Sequence, residues 1–103
     1  MFDLRVSMME NLPETAMPDD FPYSLTVHAA MVIAERGIAL EWVVRVLASP
    51  QVTEIDKHDP ELRHALATIP ERGSRALRVI YNETSEPWRI VTAFFDRKRK
   101  GKL

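Results

Sequence analysis

The chain contains no cysteine and only three glycines among its 103 residues. The absence of cysteine excludes disulfide scaffolds, thiolate metal sites and cysteine nucleophiles. It fits a reducing compartment, so we expect a cytoplasmic protein. Because Gly37, Gly73 and Gly101 stand far apart, no glycine-rich phosphate loop exists, and no serine is set in a nucleophile elbow. Nucleotide hydrolysis and acyl transfer therefore have no sequence support.

Long apolar runs are also missing. No stretch approaches the roughly 20 apolar residues that cross a bilayer, and the first residues lack the basic-then-apolar order of a signal peptide. We therefore expect no membrane association. The histidines, His28, His58 and His64, are not spaced as zinc ligands, so we expect neither a metal nor another cofactor.

Charge is nearly balanced overall but unevenly distributed. The formal net charge is −1, yet residues 1–22 carry five acids and one base, while residues 96–103 carry five bases and one acid. This balance argues against a protein that binds nucleic acid through a general positive charge, so any such site must be a local basic patch. Hydrophobic residues make up 46% and charged residues 28%, as in ordinary globular domains.

The distribution of prolines and of periodic apolar patterns divides the chain into three predicted segments. Residues 1–22 contain three prolines and no sustained period, which predicts an irregular lead-in. Residues 23–98 carry the helical and strand patterns of a single domain, a reasonable size for one core. Residues 99–103 form a basic tail.

Two helices are predicted near the start of this domain. Ser24 or Thr26 can cap the first, whose apolar residues repeat at helical spacing up to Gly37, a residue suited to a left-handed helix end. The second begins at Ile38 and is stopped by Pro50.

Beyond Pro50 the pattern changes to alternating runs of strand length, bounded by turn residues. The runs cover residues 51–56, 62–69, 75–82 and 88–95. The order predicts an α+β fold in which two N-terminal helices pack on one face of a three- to four-stranded antiparallel sheet.

Strand alternation divides the side chains of the last two strands between the faces of the sheet. Leu77, Val79 and Tyr81 are expected to meet the helices, which leaves Arg78 and Thr92 on the opposite face. Three large apolar residues are also expected to be exposed there, and such a face would support a homodimer. They are Ile80, Ile90 and Phe94.

The order of several short motifs resembles a small bacterial family catalogued as domain of unknown function 4258. These motifs are His28-Ala29, Glu35-Arg36-Gly37-Ile38, Arg75-x-Leu77-Arg78-Val79-x-Tyr81-Asn82 and Val91-Thr92-Ala93-Phe94, and the resemblance spans roughly residues 23–98.

The family is similar in outline to toxins of the RelE and BrnT type. That likeness implies a RelE-like fold, RNA or the ribosome as target, and an antitoxin as partner. The chain departs from the family at two positions. Ala39 stands where relatives often have a capping Ser or Thr, and Phe95 follows Phe94 where a tyrosine is common.

Metal-independent RNA cleavage requires a base, an acid and cations that stabilise the phosphorane. His28 is the candidate base or acid, and Arg78 and Arg75 are candidate catalytic cations. Four further residues are expected to bind substrate: Arg36, Thr92, Arg97 and Lys98. For Arg36 a structural role at a helix C-terminus is an open alternative.

Three hypotheses for the function follow from these observations. The first is a toxin-related endoribonuclease, and the second is a non-catalytic module of the same fold that binds protein or nucleic acid. The third is an association module that pairs two copies of the chain through the open face of the sheet.

Overall fold

The computed structural model describes residues 21–99 and 103. Most of the predicted lead-in, residues 1–20, and most of the predicted tail, residues 100–102, lie outside the described residues. In the part of the chain that is described, no helix is long and apolar enough to cross a membrane.

Within the described residues, two helices and five strands form a fold of the predicted α+β class. The helices are α1 (Val27–Glu35) and α2 (Leu40–Ala48), and the strands are β1 (Ser24–Leu25), β2 (Val52–Ile55), β3 (Leu62–Ile69), β4 (Arg75–Asn82) and β5 (Arg89–Asp96). The sheet has the order β1-β5-β4-β3-β2, with β2 to β5 antiparallel. Strand β1 pairs in parallel with β5, so the predicted purely antiparallel sheet of three to four strands was wrong in count and type. Strand β1 was not predicted because its two residues are too few to show the alternating pattern of a strand.

Helix α1 begins after Thr26, one of the two caps that the sequence offered, and ends before the predicted Gly37. Thr26 is the N-cap, and its Oγ1 accepts the Ala29 amide at 3.0 Å. At the other end Gly37 adopts φ 65°, and the Ile38 amide donates back to the Ile33 carbonyl at 3.0 Å. This is a Schellman ending, which satisfies carbonyls that the last helical turn leaves unpaired.

Helix α2 starts without a side-chain cap, because Ala39 has no oxygen to offer the first amides. Its stability comes from packing instead. Val43, Val46 and Leu47 are buried along one face, against strands β3 and β4. The stripe has the helical spacing of an amphipathic segment.

The core lies between the helices and one face of the sheet. Leu77, Val79 and Tyr81 are buried in it, as alternation predicted. Ala65, Ala67 and the fully buried Ile69 of β3 continue the same layer.

A register shift between β4 and β5 places Ile90 on the opposite face of the sheet from the one predicted. The pairing slips between Ile80 and Tyr81, so that Tyr81 lies opposite Ile90. Ile90 is therefore on the helix side and fully buried, not exposed on the opposite face. Ile80 and Phe94 are only partly exposed. The predicted dimer surface thus loses one of its three anchors.

Candidate anion-binding site

A tight reversal before β4 places two arginines at one end of the sheet. A 3₁₀ turn, Pro70–Arg72, is followed by Gly73 at φ 68° and Ser74 at φ 59°. Both residues are in the left-handed region, which glycine adopts without a Cβ clash. The chain thereby turns back between Arg72 and Arg75, and Arg75 pairs with Ile69 as β4 begins.

Phe95 of β5 supports both arginines. The guanidinium carbons of Arg72 and Arg75 lie 5.0 and 5.2 Å from the centroid of its ring, within the range of cation–π attraction. Trp42 meets the same ring edge-on at 6.4 Å. Arg72 also donates from Nη1 to the Gly37 carbonyl at 3.2 Å, so one of its nitrogens is fixed to the backbone. The two cations are held in place before any ligand arrives.

Arg97 completes the cluster. It follows β5 in a 3₁₀ turn, Arg97–Arg99, and lines an open depression together with Arg72, Gly73, Arg75, Phe95 and Asp96. We call Arg72, Arg75, Phe95 and Arg97 the arginine site. Among the described residues, no carboxylate lies within ion-pair distance of its three guanidinium groups.

The one acid in the lining, Asp96, is already engaged. Its Oδ2 accepts Nε and Nη2 of Arg78 at 2.9 and 2.6 Å, and its Oδ1 accepts the Lys98 amide at 3.0 Å. The negative charge is therefore compensated, and the depression remains positive.

Arg78 lies on the opposite face of the sheet, as predicted, but it is not free. Only 12% of its side chain is exposed. Besides binding Asp96, it donates from Nη1 to Glu54 Oε1 at 3.2 Å and to His64 Nδ1 at 2.6 Å. Its five N–H donors are thus largely occupied by partners from three other strands.

His64 links Arg78 to Asp56. Because a guanidinium can only donate, Nδ1 of His64 is the acceptor and its Nε2 carries the hydrogen. That hydrogen points to Asp56 Oδ1, 2.7 Å away. The bond from His64, helped by the amides of His58 and Asp59, lowers the pKa of Asp56 to about 2 against partial burial.

Two more acids complete this cluster. Hydrogen bonding from Arg78 lowers the pKa of Glu54, which also pairs with Arg99. Partial burial raises the pKa of Asp96, but hydrogen bonds from Arg78 and the Lys98 amide outweigh it and leave the pKa below its usual value. We call Glu54, Asp56, His64, Arg78, Asp96 and Arg99 the ionic network.

Three other predicted residues lie apart from both clusters. His28 is exposed in the first turn of α1, with Nε2 3.4 Å from Thr92 Oγ1. Arg36 donates from Nη1 to the Ala93 carbonyl at 2.7 Å, so that it satisfies an acceptor of β5 from the end of the adjoining helix.

The structure thus brings together only part of the predicted site. Arg75 and Arg97 share the arginine site, while Arg78 is separated from Arg75 because strand residues three apart point to opposite faces. Lys98 is exposed, and its amide closes the turn onto Asp96. No group of three or more His, Asp or Glu side chains within the described ranges is placed to hold a metal.

Arg72 was missed from the sequence. The signal available was the segment Arg72-Gly73-Ser74-Arg75, in which a glycine turn brings two arginines to the same end of the sheet. Alternation along strands does not reveal it, because Arg72 precedes the strand.

A family model described as Domain of unknown function (DUF4258) matches residues 25–95, most of the chain. Neither the curated proteins nor the solved structures include a match to this sequence. The likeness to RelE and BrnT toxins accordingly gains no support from these comparisons.

Proposed function

Because the chain belongs to the DUF4258 family, whose description states no activity, we propose a function from the arginine site: the protein binds the phosphate backbone of single-stranded RNA. Guanidinium groups pair with phosphate oxygens through planar, bidentate hydrogen bonds. The choice of RNA follows the resemblance to RNA-directed toxins, and the choice of phosphate follows the site itself.

The observation that supports this proposal is the contrast between two groups of arginines. Arg78 is largely buried and bound to two carboxylates, so it has little capacity left for a phosphate. Arg72, Arg75 and Arg97 surround one depression, and no acid among the described residues pairs with them. Clustered cations without counterions are the electrostatic feature expected of a phosphate site.

The mode of binding follows from Phe95. Its ring already carries two guanidinium groups and the edge of Trp42, which leaves little ring face for a nucleobase. The contacts available are to phosphate, and such contacts hold a strand without reading its sequence. Binding should therefore be independent of sequence and strongly dependent on salt.

Fluorescence anisotropy with a labelled 12-nucleotide polyuridylate, over a series of salt concentrations, tests the proposal. Three phosphate contacts to a single strand predict a slope of log K against log salt of about −2. Each of the three single substitutions, Arg72→Ala, Arg75→Ala and Arg97→Ala, should make the slope of log K against log salt shallower by roughly 0.7.

Arg63→Ala is the matched control, because it removes the same charge from a residue that pairs with Glu83 outside the site. If Arg63→Ala weakens binding as much as Arg75→Ala, the attraction is diffuse and the proposal is wrong. A 12-nucleotide polythymidylate and a polyglutamate peptide show whether RNA is preferred over DNA or an acidic protein segment.

A second candidate function is the metal-independent endoribonuclease of a toxin, inhibited by an antitoxin. The observation that favours it is the exposed His28 with Thr92 at 3.4 Å, two predicted site residues that meet at the surface. A histidine side chain can serve as the general acid or base of RNA cleavage. Arg78, bound to Glu54 and Asp96, supplies little to such a site.

Incubation of RNA with the protein, alone and with ribosomes, separates the two candidates. If the protein is a nuclease, the wild type yields RNA cleavage products and the His28→Ala variant does not. Expression of the wild type without its antitoxin then arrests growth. If RNA is bound but not cleaved, and His28→Ala does not change its affinity, the result supports the binding function over the nuclease.

A further inference from the structure

We propose that part of the ionic network acts as a latch that positions Arg97 and thereby sets the phosphate affinity of the arginine site; this inference rests on the proposed function. The latch consists of Glu54, Arg78, Asp96 and Arg99. It lies on the opposite face of the sheet from Arg75, yet it holds the short turn that carries Arg97.

The connection is short and fixed at both ends. Asp96, directly before Arg97, is bound to Arg78 through two hydrogen bonds of 2.9 and 2.6 Å. Arg99, two residues after Arg97, pairs with Glu54 of β2, two strands beyond β4. Within the turn, the Lys98 amide donates to Asp96 Oδ1 at 3.0 Å. A turn tied on both sides leaves the backbone of Arg97 little freedom.

Repulsion gives the latch its effect. Arg97 lines the same depression as Arg72 and Arg75. The one acid of the lining, Asp96, is bound to Arg78, so three like charges without a described acidic partner share one small region. Such charges separate when the backbone allows it. The ion pairs on the far face oppose that movement, and they keep Arg97 available to a phosphate that the other two arginines also contact.

The direction in which one substitution changes the RNA affinity distinguishes the latch from a general effect of charge. Glu54→Gln removes a negative charge, so charge alone predicts equal or tighter binding of RNA. The latch predicts weaker binding, by about threefold, because the turn is released. Glu83→Gln is the matched control: it also removes a carboxylate from an arginine pair, with Arg63, outside the latch. That variant should bind as tightly as the wild type or more tightly.

A double-mutant cycle on the full chain, with the labelled polyuridylate as probe, tests the coupling directly. In the Arg97→Ala background, Glu54→Gln should no longer weaken binding, because the residue that it positions is absent. If Glu54→Gln binds more tightly than the wild type, or weakens binding equally in both backgrounds, the latch is overturned.

Amide hydrogen exchange gives a second measurement that needs no RNA. Release of the turn in Glu54→Gln should accelerate exchange at the Lys98 amide by about tenfold, while Glu83→Gln leaves it unchanged. An unaltered Lys98 amide refutes the latch even if RNA binds. Failure of the proposed function appears differently, as a wild-type protein whose RNA affinity does not depend on Arg72, Arg75 or Arg97.

Discussion

Arg78 donates from Nη1 to Nδ1 of His64 across 2.6 Å, and this contact joins β3 to β4 on the face away from the helices. It fixes the hydrogen of the imidazole on Nε2 and directs it to Asp56. The most prominent arginine of the strand pattern is thus used to hold four strands together, through Glu54, His64 and Asp96.

Arg78→Ala is therefore expected to reduce the stability of the fold. It leaves Glu54 and Asp96 without their main partner, and removal of one member of a largely buried ion pair costs about 2 kcal/mol here, given the residual exposure. Urea denaturation measures the change. Arg63→Ala, at a more exposed pair, should cost below about 1 kcal/mol. Equal losses in the two variants would contradict the assignment.

The pKa of Asp56 makes stability sensitive to acid. In the folded protein it is lowered from 3.8 to about 2, chiefly by His64. The stabilisation is complete above the ordinary value of 3.8 and is lost as pH falls towards about 2, because the unfolded chain binds the proton first. In Asp56→Asn the urea midpoint should depend less on pH in that window.

The carboxyl carbon of Asp56, followed by NMR, reports the pKa itself. In His64→Ala the titration midpoint should rise towards 3.8, since the largest stabilising hydrogen bond is gone. A midpoint that stays near 2 in that variant would mean that the His58 and Asp59 amides are sufficient.

Arg36→Ala separates a structural from a binding role for a residue predicted to contact substrate. The guanidinium satisfies the Ala93 carbonyl at 2.7 Å, so its loss should destabilise the fold by about 1 kcal/mol and leave RNA affinity nearly unchanged. Denaturation and anisotropy are measured on the same preparation. A fall in affinity comparable to that of Arg75→Ala would instead place Arg36 in the binding surface.

Ala39→Ser should stabilise the protein. Ala39 has the extended conformation of an N-cap, with φ −74° and ψ 138°, but no side-chain oxygen. A serine there can accept a first-turn amide, which is worth about 0.5–1 kcal/mol. Ala48→Ser, at the exposed last residue of α2, is the control and should be neutral or slightly destabilising. Thermal denaturation ranks the two variants, and an Ala39→Ser protein no more stable than Ala48→Ser would contradict the cap.

Local patterns predicted the parts of this fold that depend on neighbouring residues. Thr26 and Gly37 set the bounds of α1, and alternation correctly placed Leu77, Val79 and Tyr81 towards the helices. The same reasoning failed at Ile90, because a register shift depends on how two strands pair and not on either strand alone. Strand β1 was missed for a related reason: its two residues become a strand only through contact with β5.

For the candidate site, the sequence by itself determined which residues carry positive charge and that Arg75 and Arg78 lie on opposite faces of β4. Only the tertiary structure decided which of those charges are free. Arg78 meets Glu54 and Asp96 from other strands, whereas Arg72 and Arg75 lie over Phe95 and share a depression with Arg97. No described acid lies within ion-pair distance of these three guanidinium groups. Ion pairing depends on distances of a few ångströms between segments far apart in the chain, and that information is absent from any local pattern.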